Sequence, residues 1–262
     1  MPDFFDILCR TAHNTVAGGY YSGFAERDKP VNTVPTLRLS KCIRRCAYLP
    51  LIAEIKLASP TMGAAHVDAG AIARHMQAGG AVGISVVTEP RFFKGSSQML
   101  GTVRSTVSVP LIMKDFIVSA CQIEAARDAG ASAILLIQTL FDRGYATRGA
   151  DDMIEFAHAV GLEVLLEAHT DSELERALST DADLVGINNR DLRTLTVDIM
   201  TTKDILEKVR ADGRIVVSES GVETPEEALF LKRCGADALL VGSALMRAVD
   251  VRRAVNRLVS AA

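Results

Sequence analysis

The chain has 262 residues, of which 48% are hydrophobic, so it can bury one large core. Its 29 basic and 32 acidic side chains give a formal net charge of -3 at pH 7. That near balance argues against a nucleic-acid-binding protein, since such proteins usually carry a clear basic excess. A local anion-binding site stays compatible with it, because net charge does not describe a single pocket.

The N-terminal residues and the cysteines indicate the compartment. The run MPDFFDILCR contains two aspartates and lacks a basic start followed by an apolar stretch, so it does not predict a signal peptide. No apolar stretch approaches the ~20 residues that a membrane span needs. The five cysteines include no C-x-x-C pair, which is typical of reduced thiols. We therefore expect a soluble, cytoplasmic protein that binds neither membrane nor nucleic acid.

The first 47 residues predict two helices ahead of the rest of the chain. The runs FFDILCRTAHNTVAGGYY and LRLSKCIRRCAYL look helical, and the proline-containing loop DKPVNTVPT joins them. This extension suits either a cap over one end of the following domain or an extra wall of its site. Cys42 and Cys46 lie four apart within it, but no further ligand cluster has metal-site spacing, so we expect no metal there.

From about residue 50 onward, a short, β-branched and apolar run recurs, followed each time by an amphipathic stretch and a glycine. The runs are nearly continuous in apolar residues instead of alternating. This is typical of strands buried on both faces of a parallel sheet. The predicted strands lie within residues 49–56, 81–87, 109–116, 131–137, 162–168, 182–187, 214–220 and 236–242.

Helix start and stop signals lie between these strands. Thr224-Pro225-Glu226-Glu227 predicts a capping box with proline at the first helical position. A second capping box is predicted at residues 170–173, TDSE. Four glycines predict helix ends just before the next strand. They are Gly80, Gly130, Gly161 and Gly235.

Eight such strand–helix units predict an α/β fold, a (β/α)8 TIM barrel with an N-terminal helical extension, because repeated right-handed crossovers close into a barrel. We assign residues 1–47 to the extension and residues 48–262 to the barrel, as a single domain overall. An open doubly wound sheet is the alternative. It normally needs a glycine-rich first strand–helix turn, whereas here the first strand ends in EIKLASP.

Polar residues cluster at the C-terminal ends of five predicted strands, where barrel enzymes place their active sites. A single charge at a strand end is most often a solvated rim residue. Glu54 and Glu167, however, interrupt apolar runs, and an unpaired buried charge costs several kcal/mol. The agreement between strands therefore favours a site. The clustered polar residues are Glu54, Lys56, Lys114, Asp115, Glu167, Asn188, Asn189, Arg190, Ser218, Glu219 and Ser220, and Phe116 follows directly after Asp115.

Small residues follow the last two predicted strands, where a backbone can approach a ligand closely. Ser220 and Gly221 follow the seventh strand, and Gly242 and Ser243 follow the eighth at a predicted helix start. Helix-start amides bind anions, and these two loops are the common phosphate site of such barrels. A Gly-Ser pair alone could be a simple N-cap. In register with the eighth strand, it predicts a phosphate site.

The histidines contribute less to the prediction, because they are scattered along the chain. His169 follows Glu167 by two residues, and we expect it to lie at the surface. The sequence contains no recognisable nucleophile with an adjacent histidine base, and no metal-ligand constellation.

Ordered motifs over about residues 50–248 resemble those of the indole-3-glycerol-phosphate synthase family. They are IAEIKLASP, SVVTEPRFFKGS, PLIMKDFIVSACQI, ILLI, LLEAHT, GINNRDL, SESG and LLVGSALM. Neighbouring barrels such as phosphoribosylanthranilate isomerase do not combine E-x-K-x-x-S-P, K-D-F and G-I-N-x-R-D. The resemblance implies a decarboxylating lyase of tryptophan biosynthesis. Such an enzyme converts 1-(2-carboxyphenylamino)-1-deoxyribulose 5-phosphate to indole-3-glycerol phosphate, releasing carbon dioxide and water, without a metal or organic cofactor.

The resemblance also implies catalytic roles. Lys114 is the general acid for the substrate's ketone, since an ammonium can stabilise the developing alkoxide and deliver the proton, typically worth ~10²–10⁴-fold. Glu167 acts as acid or base in the later dehydration, and Glu54 orients the substrate amine and Lys114. The implied catalytic residues are Lys114, Glu167, Glu54, Lys56, Asn188 and Ser220.

Further residues are implied to bind the substrate. The fork of Arg190 suits the carboxylate that is lost. An apolar wall takes the aromatic ring, although core packing explains those residues equally well. The implied substrate-binding residues are Ser59, Pro60, Phe93, Phe116, Leu135, Arg190 and Leu192. The implied phosphate-binding residues are Lys56, Ser59, Gly221, Gly242 and Ser243.

The chain departs from the family beside the anion pocket. After Lys56 the family often has a second basic residue and then S-P-S, whereas Leu57, Thr61 and Met62 stand here, so substrate affinity or loop motion can differ. Two alternatives stay open: a phosphosugar isomerase on the same barrel, and a non-catalytic barrel that binds a phosphorylated metabolite or a partner protein. We expect a small phosphorylated aromatic substrate and a monomer or weak homodimer.

Overall fold

A computed structural model describes residues 3–22, 37–58 and 67–261 of the chain. Eight parallel strands form a closed barrel in which each strand pairs with the next along the chain and the last pairs with the first. The fold is the predicted (β/α)8 TIM barrel, and the doubly wound alternative is wrong. The strands are β1 (Leu51–Ile55), β2 (Gly83–Val87), β3 (Leu111–Lys114), β4 (Ala133–Ile137), β5 (Glu163–Ala168), β6 (Leu184–Asn188), β7 (Ile215–Glu219) and β8 (Ala238–Val241).

Burial of the strands explains the continuous apolar runs. Every strand position is buried except Lys114 at the end of β3, because the barrel lumen covers one face and the surrounding helices cover the other. Successive residues of β1 accordingly belong to different apolar clusters: Ile52 to the cluster of the lumen, and Leu51 and Ala53 to the cluster under the helices. Of the predicted strands, only β6 runs further than expected, to Asn188.

The helices of the barrel follow the predicted start and stop signals. Thr224 forms the capping box with Glu227, and Pro225 stands in the first turn. At all four predicted helix ends the glycine has a positive φ, between 85° and 110°, which terminates the helix. The helices of this part are α3 (Ala69–Ala78), α4 (Ser97–Arg104), α5 (Ala120–Asp128), α6 (Gln138–Asp142), α7 (Ala150–Ala159), α8 (Asp171–Leu178), α9 (Met200–Leu206), α10 (Pro225–Arg233), α11 (Ser243–Met246) and α12 (Val251–Val259).

The second predicted capping box forms only in one direction. Thr170 caps α8 by accepting a hydrogen bond from the amide of Glu173, as expected. The Glu173 carboxylate does not return to the Thr170 amide, and instead accepts from the amide of His169 at 2.7 Å and from the hydroxyl of Thr139 at 2.8 Å. The start of α8 is therefore tied to the end of β5 and to α6.

In the described part of the extension, two helices precede the barrel, and they lie at opposite ends of it. They are α1 (Phe4–Ala17) and α2 (Leu39–Arg45). On α2, Leu39 and Ile43 join the lumen cluster, and the carboxylate of Glu163 at the start of β5 accepts from the amides of Leu39 and Ser40. Because Glu163 begins its strand, α2 closes the N-terminal end of the barrel. The predicted loop DKPVNTVPT lies outside the described residues.

The other helix, α1, lies at the C-terminal end of the barrel. The ring of Phe5 packs edge-on against Phe116, just after β3, with centroids 6.1 Å apart. Arg143, which follows α6, pairs with Asp3 and Asp6 at 2.8 Å each. The sequence of the extension was compatible with a cap over one barrel end or with an extra wall of the site. The structure contains both, because α2 covers the N-terminal end of the barrel and α1 forms a wall at the C-terminal rim. Within the described ranges, no helix has the length and hydropathy that a membrane crossing requires.

We expect Glu163→Ala to lower the free energy of unfolding by about 1–3 kcal/mol, because the amides at the start of α2 lose a buried acceptor. Chemical denaturation measures this change. The matched control is Glu175→Ala on the exposed side of α8, which should change stability by no more than about 0.5 kcal/mol. Equal effects of the two variants would show that α2 is not held through Glu163.

Candidate active site

A cavity of about 140 Å³ opens at the C-terminal end of the barrel. Every residue that the resemblance implied for the site lines this cavity where it falls within the described ranges, whereas Ser59 and Pro60, like the departures Thr61 and Met62, lie outside those ranges. Three residues of the wider cluster at the strand ends do not line it: Asn189, Ser218 and Glu219. The predicted residues in the lining are Glu54, Lys56, Phe93, Lys114, Phe116, Leu135, Glu167, Asn188, Arg190, Leu192, Ser220, Gly221, Gly242 and Ser243.

At the floor of the cavity, one ammonium group faces three buried carboxylates. The Nζ of Lys114 lies 2.6 Å from Oε2 of Glu219, and 3.6 Å from Oε2 of both Glu54 and Glu167. These side chains come from β1, β3, β5 and β7, so they form one layer of four from alternate strands, as barrel lumens are built. We call this the charged layer.

An apolar layer supports the charged layer from below. Two residues earlier on the same four strands stand Ile52, Ile112, Leu165 and Val217, all of which are fully buried in the lumen cluster. Side chains two residues apart on a strand point in the same direction, so the lumen changes from an apolar layer to the charged layer over two residues of each strand. Water cannot reach the carboxylates from below, so Lys114 and its neighbours must compensate their charge.

Glu219 belongs to the charged layer, although the family resemblance implies no role for it. It is fully buried, and Oε1 has no hydrogen-bond partner among the described residues. The sequence nevertheless contained a signal for this residue. Glu219 ends the apolar run IVVSE of β7 just as Glu54 ends the apolar run of β1, so its buried charge also required a partner.

Two glycines make room for the charged layer. A Cβ on Gly186 of β6 would lie 2.4 Å from Oε1 of Glu219, and a Cβ on Gly242 after β8 would lie 2.5 Å from Oε1 of Glu54. Both distances are far below van der Waals contact, so a side chain at either position would displace a carboxylate. Gly242 was predicted as a phosphate contact, and this packing role is an additional reason for glycine there.

The pKa values of the charged layer follow from burial and mutual attraction. Burial disfavours the charge of Lys114, but attraction from Glu219, Glu167 and Glu54 outweighs it and holds the pKa of the ammonium above its ordinary value. For Glu54, the same burial is outweighed by Lys56 and Lys114, which lower the pKa of its carboxyl. Burial raises the pKa of Glu219 despite the attraction of Lys114, and the nearby Glu167 adds to the rise. The layer thus combines a firmly protonated amine with a carboxyl that readily takes up a proton.

A cationic side chain connects this layer to the rim after β8. The Nζ of Lys56 lies 3.0 Å from Oε1 of Glu54 and 3.4 Å from the hydroxyl of Ser243. The adjoining turn after β7 has left-handed backbone at Ser220 and Gly221, with φ of 68° and 92°. Asn189 supports that turn by donating to the carbonyl of Ser220 at 2.9 Å. The helix that follows Gly242, α11, spans only four residues, so the dipole argument for this anion site weakens.

The apolar wall of the cavity extends beyond the predicted residues. Phe93 and Phe116 pack with ring centroids 6.3 Å apart, and Phe4 and Leu8 of α1 also line the cavity. The carboxylate of Glu89 holds the loop that carries Phe93, accepting hydrogen bonds from successive backbone amides at 2.6 to 2.9 Å. The loop after β2 is therefore a built part of the wall.

Asp115, next to Lys114, points away from the charged layer. Its carboxylate accepts from the hydroxyls of Tyr21 and Thr88 at 2.8 and 2.7 Å. Burial raises the pKa of Asp115 to about 6, although the hydrogen bonds oppose this rise. The contact with Tyr21 ties the N-terminal extension to the end of β3.

His169 is not a surface residue, so that prediction is wrong. Its side chain is 10% exposed, with Nε2 lying 3.2 Å from Oε1 of Glu167 and Nδ1 lying 3.5 Å from Oε2 of Glu173. Burial alone would lower its pKa, but the two carboxylates raise it to about 9. The burial arises because Glu173 turns back onto the end of β5, an interaction that a helix pattern does not reveal.

The chain is similar to one characterised family along most of its length. The family model described as indole-3-glycerol phosphate synthase matches residues 25–258. The protein of that name from Oceanobacillus iheyensis is 38% identical to this chain, over 90% of this chain and 87% of the relative. In Methanopyrus kandleri the identity is 44%, over 80% of this chain and 83% of the relative.

Solved structures resemble the chain in fold. Thiamine phosphate pyrophosphorylase from Pyrococcus furiosus has a TM-score of 0.58 at 20% identity, covering 80% of this chain and 93% of its own. The N-acetylmannosamine-6-phosphate 2-epimerase from Clostridium perfringens has a TM-score of 0.57 at 16% identity, covering 74% of this chain and 86% of its own. At these identities the likeness concerns the barrel alone.

We expect Gly186→Ala to lower the free energy of unfolding by about 1–3 kcal/mol, because the new methyl group collides with the buried carboxylate of Glu219. The control is Gly101→Ala inside α4, where the nearest heavy atom to an added Cβ is 4.0 Å away. That substitution should stabilise the protein by about 0.5–1 kcal/mol. Chemical denaturation of both variants checks the opposite signs, and a stabilising Gly186→Ala would contradict the packing of Glu219.

Proposed function

The chain belongs to the indole-3-glycerol phosphate synthase family, and we propose that it forms indole-3-glycerol phosphate in tryptophan biosynthesis as a carboxy-lyase. The substrate is 1-(2-carboxyphenylamino)-1-deoxyribulose 5-phosphate, which loses carbon dioxide and water as its indole ring closes. The observation that carries the proposal is the charged layer, an ammonium among three buried carboxylates at the floor of the cavity. Ring closure and dehydration both require proton transfers, and this layer can supply them.

Lys114 is the general acid of ring closure. The aryl carbon that bears the carboxylate attacks the ketone carbon, and the carbonyl electron pair moves to the oxygen. Lys114 delivers a proton to that oxygen, while loss of carbon dioxide restores the aromatic ring. Its raised pKa keeps Lys114 protonated until the alkoxide develops, when the transfer becomes favourable.

Two carboxyl groups take part in the remaining proton transfers. Dehydration removes the new hydroxyl as water and one proton from the adjacent methylene group, and Glu167 handles this step as acid or base. Glu219 lies 2.6 Å from Lys114 and has a raised pKa, so it returns a proton to the amine between turnovers. Glu54 orients Lys114 from the third side.

The anionic groups of the substrate bind around the rim. Lys56 and Ser243, together with the backbone at Gly221 and Gly242, receive the phosphate after β7 and β8. Arg190 lines the same cavity and binds the carboxylate, with Asn188 and Ser220 holding polar groups. The aromatic ring lies against the apolar wall of Phe93, Phe116, Leu135 and Leu192.

The proposal also covers the cellular location and the oligomeric state. All five cysteines are free thiols, which supports a reducing, cytoplasmic location. We expect a monomer or a weak homodimer whose partner is the small phosphorylated aromatic substrate.

The direct test incubates the purified chain with 1-(2-carboxyphenylamino)-1-deoxyribulose 5-phosphate and follows indole fluorescence. We expect fluorescence to develop without added metal, and at the same rate with a chelator present. The matched control is the substrate without protein. Absence of a signal at micromolar protein would contradict the proposed function.

Replacing the proposed acid separates chemistry from binding. We expect Lys114→Ala to reduce kcat by at least roughly 10³-fold with much less change in substrate affinity, because the proton is transferred only in the transition state. Lys232→Ala, which removes an exposed amine on α10, serves as the control and should leave kcat unchanged. Steady-state kinetics and substrate binding by titration measure the two effects. Near-normal turnover of Lys114→Ala would assign the acid to another group.

A further inference from the structure

His169 lies between two carboxylates that belong to different surroundings. One ring nitrogen lies 3.2 Å from Glu167, which lines the cavity of the site. The other lies 3.5 Å from Glu173, which lines an adjoining groove beyond the C-terminal ends of β4, β5 and β6 together with His169 and Thr139. Nε2 has no hydrogen-bond partner among the described residues, so its approach to Glu167 is an ion-pair contact, and Nδ1 also lies 3.5 Å from the hydroxyl of Thr139. With a carboxylate near each nitrogen, the doubly protonated ring is the form that both neighbours attract.

The position of Glu173 is itself fixed by other groups. Its carboxylate accepts from the amide of His169 at 2.7 Å and from the hydroxyl of Thr139 at 2.8 Å. The ring of His169 consequently has a rigid support on the side away from the cavity. The remaining oxygen of Glu167, Oε2, faces Lys114 at 3.6 Å.

The charge balance of the site shows what the histidine contributes. Three carboxylates share the ammonium of Lys114, and among the described residues only Glu54 has a second lysine, Lys56, in contact. Without another cation, the carboxylates of Glu167 and Glu219 would both depend on the single ammonium of Lys114. An imidazolium on its outer side gives Glu167 a cation of its own.

We propose that His169 is a positioning residue for the reaction, which holds Glu167 ionised and aims its second carboxylate oxygen at Lys114. This inference rests on the proposed function. It assigns to His169 no contact with the substrate and no proton transfer of its own. Its effect on turnover passes through Glu167.

The charges around this pair act in known directions. Lys114, Glu54 and Glu219 face Glu167 from the other strands of the charged layer, and Glu173 faces His169 from α8. Burial raises the pKa of the Glu167 carboxyl, but Lys114 and His169 outweigh it and lower this pKa to about 2. The groove beside His169 also contains further charged residues. They are Arg143, Arg190, Asp191, Arg193 and Asp198.

The sign of the pH dependence follows. In the native enzyme, Glu167 stays ionised down to a pH of about 2, because Lys114 and His169 hold its pKa far below the ordinary value. His169 keeps its proton until the pH rises through about 9. Above that pH the ring loses its charge, so kcat should decline there. Without the imidazole, Glu167 takes up a proton at a higher pH than in the native enzyme, so kcat should decline earlier on the acidic side.

The test compares pH profiles of His169→Asn and the native full-length chain in the indole fluorescence assay. We expect kcat of the variant at pH 7 to fall by about 10-fold or more with KM nearly unchanged, because an uncharged amide no longer fixes Glu167. The acidic limb of kcat should move upward by about one pH unit or more, and the decline near pH 9 should disappear. A variant with unchanged limbs, or with an increase of KM alone, would overturn the inference.

The matched control is His158→Asn. His158 is also paired with a carboxylate, Asp183 at 2.9 Å, but lies on the exposed side of α7. Its replacement should leave both kcat and the pH profile unchanged. A similar pH shift in this control would mean that loss of any histidine charge accounts for the effect, and would also overturn the inference.

A second measurement uses the native chain and does not depend on the folding of a variant. Titration of the histidine ring protons by NMR should show one imidazole with a pKa near 9, assigned to His169. Titration of His169 near its ordinary value would overturn the inference. If the native chain lacks synthase activity, the proposed function fails together with the positioning role. If the native chain is active and His169→Asn keeps its profile, only the role of His169 fails.

Discussion

The ammonium of Lys114 among the carboxylates of Glu54, Glu167 and Glu219 is the interaction on which the rest of the site depends. Carboxylates that are at most 4% exposed would be very costly without a cation, and a buried ammonium would be equally costly without them. Each partner therefore makes the others tolerable, and the whole group sits on an apolar layer that excludes water. Such a group has a defined geometry before any substrate binds, which is the condition for electrostatic catalysis.

This requirement extends to residues that carry no charge. Gly186 and Gly242 leave the space that Glu219 and Glu54 occupy. Closure of the barrel brings β1 beside β8, so Lys56 can reach both Glu54 and Ser243. The acid–base floor and the proposed phosphate rim are thus connected through one lysine. Around them, α1 and the loop after β2 complete an apolar wall, held in place by ion pairs and by the carboxylate of Glu89.

Much of the barrel and of its rim could be predicted from local patterns. Continuous apolar runs indicated strands covered on both faces, and glycines with positive φ indicated where the helices end. Charges at the ends of those runs indicated the rim, since each had to face either a partner or water. Glu219 was seen at its strand end but not recognised, because the resemblance assigned no role to it. His169 was misjudged, because its burial depends on Glu173 turning back from α8.

The sequence by itself determined most of the buried strand positions, the approximate range of each strand, and which residue types occupy the C-terminal ends of the strands. These properties depend on neighbours in the chain, and the side-chain periodicities of strand and helix reveal them. The tertiary structure alone decided which charges meet. Lys114 and Glu219 are 105 residues apart and contact one another only because alternate strands of a closed barrel point into one lumen. It also decided that α1 and α2 lie at opposite ends of the barrel, since that choice depends on contacts with Phe116 and Glu163 and not on the helices themselves.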